Sequence, residues 1–493
     1  MHALHLARRL RGAFPDAAIV LGGTSITHCY KHLKDKTLMK RFFDLCDAIV
    51  VGEGETAICE LAEWGGQIPR GVRFTNTIAY DKPNDQLIFP DAIFYENVGQ
   101  LAAPHYEYKW DLYLSPARGI NYSPTRGCYW NRCTFCDYGL NTDKPTSPWR
   151  ERKIDDVIVD LKKAQSDFGV GYVYFAVDVM APGYLERLSD AIITSGLKIK
   201  WSAELRMEKI FSLARCEKMA EAGCVCISFG MESGNQRILD LIDKGTKVSF
   251  MSETMKNFAH AGIAVQLMCF SEFPSETPAE KLDTINFIRQ NEEYWATGGM
   301  GTFLLTGTSI IARRPEEFGL TLVPTQGAHS TRAVAFRTDA ETGHRTAIVE
   351  EADASFDGAG GIFPAGLGRP WAGGTDTLHS MIYYEKYGRN FFKRTESEDY
   401  DEEANLDNSD VLKWSIMPVG VMFATPFDVG QIIVGRQKFD KYLKATLQIP
   451  AEPTFSRFTA WADTMPSQSR GELTYWLSTA ENTVKIDKIV YRI

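Results

Sequence analysis

Three cysteines, Cys128, Cys133 and Cys136, fall within nine residues of the run Thr125-Arg126-Gly127-Cys128-Tyr129-Trp130-Asn131-Arg132-Cys133-Thr134-Phe135-Cys136. Three thiolates on one loop can hold three corners of an iron–sulfur cube, whose irons prefer soft sulfur ligands. No fourth cysteine stands nearby, so one iron of such a cube would stay open to a ligand from outside the protein. Structural zinc demands four closed ligands, and no paired Cys or His follows at the usual distance. The other seven cysteines (Cys29, Cys46, Cys59, Cys216, Cys224, Cys226 and Cys269) mostly lie in apolar stretches and read as small core residues.

A loop of this kind needs a scaffold, and the sequence around it is regular. Apolar runs near 119–124, 171–178, 198–204, 224–230, 263–270 and 300–306 alternate with amphipathic stretches such as Ile154, Ile158, Leu161 and Phe168. That alternation predicts parallel βαβ units with right-handed crossovers. An open sheet and a partial (β/α)6 barrel both satisfy it, and in either the chemistry belongs at the carboxyl ends of the strands. The domain expectation is a barrel over 118–325.

Ahead of it, residues 2–13 place Leu4, Ala7 and Leu10 on one helical face, and a strand from Ala17 to Leu21 ends in Gly22-Gly23. A second run, Ala48 to Val51, stops at Gly52-Glu53-Gly54-Glu55, with a helix expected from Thr56. Strand, glycine turn and helix, twice, predict an incomplete Rossmann-like α/β unit over 1–70. Residues 71–117, with Pro83, Pro90, Pro104 and Pro116, read as a linker packed on its neighbours. Residues 326–493 read as an α+β region. It has a glycine-rich loop at Gly358, Gly360 and Gly361, and a helix over Asp376 to Tyr387 after Gly373-Gly374. An acid-rich loop over 396–410 follows, and then a strand or hairpin through Val484, Ile486, Ile489 and Tyr491.

Composition narrows the function. The 493 residues are 44% hydrophobic and 24% charged, as in an ordinary globular chain. Lys+Arg 54 against Asp+Glu 63 gives a net charge of -9, which argues against a nucleic-acid partner. No apolar run approaches the roughly 20 residues that span a bilayer, and the first residues contain no signal-peptide apolar core. With no export signal, clustered cysteines fit a reducing, cytoplasmic setting in which they serve metal or catalysis.

On these residues the chain resembles the radical SAM superfamily, and more closely its subgroup with an N-terminal cobalamin-binding domain. Its cysteine spacing is one residue longer than the usual C-x3-C-x2-C in the first gap. The resemblance spans roughly 105–320. It implies a [4Fe-4S] cluster on Cys128, Cys133 and Cys136 whose open iron binds S-adenosylmethionine (SAM). Reductive cleavage to a 5'-deoxyadenosyl radical then follows, with the three cysteines counted as catalytic.

It further implies that Phe135 and Tyr138 lie beside the adenine end and that Asp178 ends the second barrel strand facing the methionine end. Glu204 and Arg206, two apart on the third strand and so on one face, would accept from the SAM amino group or ribose and grip its carboxylate. Glu232 and Ser233, in Gly230-Met231-Glu232-Ser233-Gly234 with Lys244-Gly245 downstream, would stand near the ribose. Glu276 lies in Phe273-Pro274-Ser275-Glu276-Thr277, close to an F-P-G-E-T turn, with Ser275 and Glu272 where relatives carry glycine.

Gly22, Gly23 and the Gly52–Glu55 turn resemble the second half of a cobalamin-binding domain whose D-x-H-x-x-G segment this sequence does not contain. The expectation is therefore weak or no cobalamin binding by this chain alone. The implied partners are a small-molecule or peptide substrate and a reductant such as flavodoxin or ferredoxin. The implied outcome is modification of an unactivated carbon, with C-methylation favoured. The competing readings are a non-catalytic iron–sulfur protein and a degenerate relative that binds a partner or carries electrons without turnover.

Overall fold

The computed structural model describes residues 2–110 and 117–322 except 34, 67–71, 139–143 and 145. It also describes residues 380–382, 384–385 and 388–389 and four later strands. The sequence-predicted glycine-rich loop at 358–361 and the acidic run at 396–410 lie outside the described residues.

The first sheet has four strands in the order β1 (Val20–Leu21), β2 (Ala48–Val50), β3 (Thr77–Asp81), β4 (Gln86–Ile88). β1 and β2 are parallel, as the two strand–turn units require, while β3 and β4 form an antiparallel hairpin added to β2. That hairpin lies within the stretch read as linker, because strands this short leave no period-2 signal to detect.

Helix α1 (His2–Ala13), helix α2 (Thr24–His32) and helix α3 (Glu55–Glu63) cover the sheet. Alternation along β2 divides the packing. Ile49 and Val51 join Leu21, Ile26, Met39, Phe43 and Ile78 on one face, and Ala48 and Val50 meet Ala57, Leu61 and Phe74 on the other.

The second sheet carries the larger core. Its six strands are β5 (Gly119–Tyr122), β8 (Tyr172–Phe175), β9 (Lys200–Leu205), β10 (Cys224–Glu232), β11 (Ala264–Ser271) and β12 (Thr297–Thr302). They lie in sequential order, every adjacent pair parallel, with β5 and β12 at the two edges. An open, sequentially wound parallel sheet is the partial (β/α)6 barrel that the alternation predicted.

Its helices include α4 (Ile154–Phe168), α5 (Pro182–Ser195), α6 (Leu213–Glu221), α8 (Val248–His260) and α9 (Pro278–Gln290), and between α6 and α8 runs the short α7 (Gln236–Leu241). The start of α9 is fixed locally: Thr277 and Glu280 form a reciprocal capping box, and Pro278 sets the first turn. Trp201, fully buried, packs on Phe175 and donates its indole N–H to the Ala222 carbonyl at 2.9 Å.

Two features place the site at one end. A two-stranded ribbon, β6 (Thr125–Arg126) with β7 (Arg150–Glu151), rises from the carboxyl end of β5 and flanks the cysteine loop. At the opposite end, residues 380–382 and 384–385 are helical, inside the helix predicted over 376–387. There Tyr384 meets Thr297 at 3.0 Å and Glu385 accepts from the Tyr172 hydroxyl at 2.9 Å. This segment caps the amino ends of the strands.

Of the remainder, β13 (Leu320–Leu322) pairs with β14 (Phe336–Thr338). β15 (Ile432–Gly435), β16 (Leu473–Ser478) and β17 (Thr483–Ile489) form an antiparallel sheet, with the predicted Val484 and Ile486 in β17.

Candidate active site at the carboxyl end of the barrel

The cysteine loop is held on several sides. Thr134 donates its N–H to the Ile242 carbonyl at 2.9 Å and its hydroxyl to Leu241 at 3.0 Å. The Trp130 indole donates to Asp243 at 2.6 Å, and the Arg132 guanidinium pairs with the Asp243 carboxylate at 3.0 Å. From the far side Ile311 donates to the Thr134 carbonyl at 3.2 Å. Two glycines make these approaches achievable. Gly127 (φ +80°) has the carbonyls of Ser147 and Pro148 where a Cβ would stand, and Gly245 (φ +71°) has the Trp130 ring there.

Cys128, Cys133 and Cys136 are all partly buried, and burial raises all three thiols, Cys136 to about 12. A ligated metal replaces those protons, so filling the site and deprotonating it are one event. Among the described residues no three Cys, His, Asp or Glu side chains gather around a single ion point. The three thiols feel one another electrostatically, and Lys244 and Arg206 bring positive charge to Cys128 and Cys133. A donor set of soft sulfurs beside two cations suits an anionic cluster.

The strand-end residues form a tightly paired floor. Lys244 Nζ lies 2.7 Å from Glu232 Oε1, both side chains almost excluded from solvent. Burial opposes the charge on Lys244, but Glu232 and Cys133 more than offset it and hold the amine protonated. Glu204 accepts from the Tyr174 hydroxyl at 2.7 Å. Burial raises its pKa, against the lowering effect of Tyr174, and Asp178 and Glu232 add to the rise. Asp178 is raised by burial too, and the Gly127 N–H offsets part of that.

Arg206 is engaged within the protein. Its guanidinium stacks 3.9 Å from the Trp130 ring centre, pairs with Glu208 at 2.9 Å and donates to the Lys244 carbonyl, while its Nε has no hydrogen-bond partner. Phe135 packs edge-on against Phe270 at 5.3 Å. Tyr138 is half exposed at the cavity rim.

Ser233, expected by the ribose, is held by protein neighbours. It is fully buried, its hydroxyl 3.0 Å from Thr284 on α9 and accepting from Asn235 at 3.1 Å, so here it ties β10 to α9. Glu276 has one oxygen accepting from the Glu272 N–H and the other buried without a partner, and burial pushes it up to about 7. The two positions where glycine is absent, Glu272 (φ +63°) and Ser275 (φ +70°), are both left-handed, and so is Glu232 (φ +63°). Each costs about 1–2 kcal/mol of backbone strain, stored beside the barrel mouth.

The glycine turns of the first sheet face this end. A cavity of about 530 Å³ lies between Gly23, Thr27, His28, Gly52 and Glu53 on one side and Arg126, Tyr138, Tyr174 and Asp178 on the other. Gly23 (φ +86°) caps α2, and Gly22 packs on Val50 behind it. Ion pairs close the seam: Arg150 grips Glu53 with both nitrogens at 2.6 and 2.7 Å, and Arg126 pairs with Glu53 and Glu55. None of Arg126, Arg150, Tyr174 or Glu53 was singled out from sequence as a site residue. Only the acidic Gly52–Glu55 turn gave any signal of this seam.

Residues 122–288 match the model of the radical SAM superfamily. An uncharacterized methyltransferase of Pyrococcus horikoshii is 27% identical over 294 residues, 58% of this chain and 61% of that protein. The bacteriochlorophyllide d C-12(1)-methyltransferase of Chlorobaculum tepidum is 26% identical over 253 residues, 50% of this chain and 51% of that protein. The chain thus spans about half to three fifths of these relatives' length.

In fold it is similar to OxsB, a cobalamin-dependent S-adenosylmethionine radical enzyme solved with aqua-cobalamin. The TM-score is 0.54 at 14% identity, over 95% of this chain and 72% of that one. It is also similar to TsrM from Kitasatospora setae, a radical S-adenosylmethionine methyltransferase solved with cobalamin and a [4Fe-4S] cluster. There the TM-score is 0.51 at 16% identity, over 66% of each chain. Residues 122–288, which carry the three-cysteine loop and four strands of the six-stranded parallel sheet, thus match the radical SAM superfamily.

Proposed function

We propose that this chain is a radical SAM enzyme that modifies an unactivated carbon of a small-molecule or peptide substrate, with C-methylation as the favoured outcome. The observation that carries the reading is the loop itself: three electrostatically coupled thiols within nine residues, no fourth beside them in the loop, framed against Lys244 and Arg206 at the carboxyl end of the barrel. When bound, a [4Fe-4S] cluster supplies the single electron that splits the SAM sulfonium, replenished by a flavodoxin- or ferredoxin-like reductant of a cytoplasmic, reducing compartment. Cys128, Cys133 and Cys136 hold it.

Glu204, aligned by Tyr174, accepts from the SAM amino or ribose groups. The Lys244–Glu232 pair holds the adjoining wall, and Arg206 fixes Trp130 and the loop behind the SAM carboxylate. Asp178 faces the cavity where substrate would enter. The methyltransferase names of the relatives support methyl transfer. The Gly22-Gly23 turn supplies one wall for a corrinoid, but β1 is the sheet edge among the described residues, so this chain alone holds it weakly. Among the described residues no helix is long and apolar enough to cross a membrane.

The test is anaerobic reconstitution with iron and sulfide, a strong reductant and SAM. Formation of 5'-deoxyadenosine or methylated product supports the reading. A loaded cluster that leaves SAM intact under every reductant favours the electron-carrier alternative.

A further inference from the structure

The C-terminal end of α2 reaches out of the first sheet and touches the cysteine loop. Lys31 donates its ammonium to the carbonyl of Asp137, the residue directly after Cys136. His32, next along the helix, lies 3.4 Å from the Asp137 carboxylate, with side-chain exposures of 3% and 0%. Neither ring nitrogen of His32 makes a hydrogen bond.

Asp137 is also approached by the Thr308 hydroxyl at 3.5 Å, and Thr306 reaches the Phe135 carbonyl at 3.5 Å. On its barrel side the Phe135–Asp137 end of the loop is therefore met by the Thr306 and Thr308 hydroxyls. On the side of the first sheet it is held by a cation.

A fixed ammonium beside the last cysteine's peptide favours negative charge on that sulfur and on whatever it ligates. A cluster gains an electron when reduced, so the same ammonium stabilises the reduced form more than the oxidised form. A buried carboxylate is costly when left alone, so the Asp137 contact keeps α2 seated.

We propose that Lys31 and His32 are positioning residues for the iron–sulfur centre, and that the first sheet thereby sets how easily the centre is reduced. The inference rests on the radical SAM reading, and its test uses the centre's electrochemistry and spectrum, with no turnover needed. The full chain, reconstituted anaerobically, is titrated to give its midpoint potential and reduced-state electron paramagnetic resonance (EPR) spectrum. The variants are Lys31→Met, Lys31→Arg, His32→Ala and Thr75→Val, the last removing a hydroxyl contact to Glu60 within the first sheet with no change of charge.

The expected result is wild-type iron in Lys31→Met with a midpoint potential shifted to more negative values, and recovery in Lys31→Arg. His32→Ala should broaden the EPR signal, and Thr75→Val should leave both readouts near wild type. Wild-type potential and spectrum in both Lys31→Met and His32→Ala would overturn the proposal while leaving the radical SAM reading intact. An equal shift in Thr75→Val would also overturn it, because loosened packing would then be the cause. A wild-type chain that takes up no cluster would overturn both.

Discussion

The two sheets present the same device to one cavity with unequal backing. In the barrel, six parallel strands stand in sequential order over one large core, and polar residues at their carboxyl ends are paired with each other. In the first sheet only β1 and β2 are parallel. Their glycine turns face the barrel, and an antiparallel hairpin occupies the β2 edge where a further parallel strand would lie. The barrel end gathers paired charges in a largely buried setting. The first sheet contributes one wall, the ion pairs from Arg126 and Arg150, and the reach of α2 to Asp137. A site can thus be positioned by a small element whose own core is modest, provided its contacts are charged and partly buried.

The largest effect should come from the barrel side. Cys128→Ala/Cys133→Ala/Cys136→Ala is expected to lose all cluster iron and sulfide after reconstitution while keeping its far-ultraviolet circular dichroism. A full cluster in that variant would move the ligands to the other cysteines and erase the contrast between the sheets.

Packing should follow the same order. Trp201→Ala, at a fully buried site that also loses the bond to Ala222, should cost about 3–5 kcal/mol in a denaturant titration. Val20→Ala, on the partly buried edge strand, should cost about 1 kcal/mol. Equal costs would show that the first sheet is packed as completely as the barrel.

A smaller, pH-dependent effect concerns Glu276. Its folded pKa of about 7 stands above its ordinary value near 4.5, so the folded chain holds this proton more tightly than the unfolded one. Stability should therefore fall as pH rises through that window, and the loss should be complete above about 7. Glu276→Gln removes it. Its melting temperature should match wild type near pH 4.5 and exceed it at pH 8. The same difference at both pH values would mean that the carboxyl is not neutralised by burial.

Much of the barrel was legible because its signal is long-range and repeated. Buried parallel strands read as apolar runs, and the helix periodicity from Ile154 to Phe168 matched α4 with its glycine stop at Gly169. The cysteine loop was legible because thiols so closely clustered have few other uses. Glu272 and Ser275 were visible as departures, and the positive φ at both gives the physical meaning of the missing glycines.

The β3–β4 hairpin was not legible, since strands of five and three residues carry too little alternation. Nor were the partners of Arg206 and Ser233. Strand register placed Arg206 at the site, but only the fold brings Trp130, Glu208 and Lys244 around it. Ser233 sits at a strand end, yet Thr284, fifty-one positions on, claims its hydroxyl. Long-range pairing of this kind has no local sequence signature.

The central claim is that three thiols leave one iron open and that SAM takes it. It is tested most directly by the EPR spectrum of the reduced, reconstituted chain before and after SAM is added. The account predicts a changed spectrum with SAM in the wild type, and a weaker response at matched SAM concentration in Glu204→Gln, whose altered carboxyl accepts less strongly. Identical spectra with and without saturating SAM would contradict it.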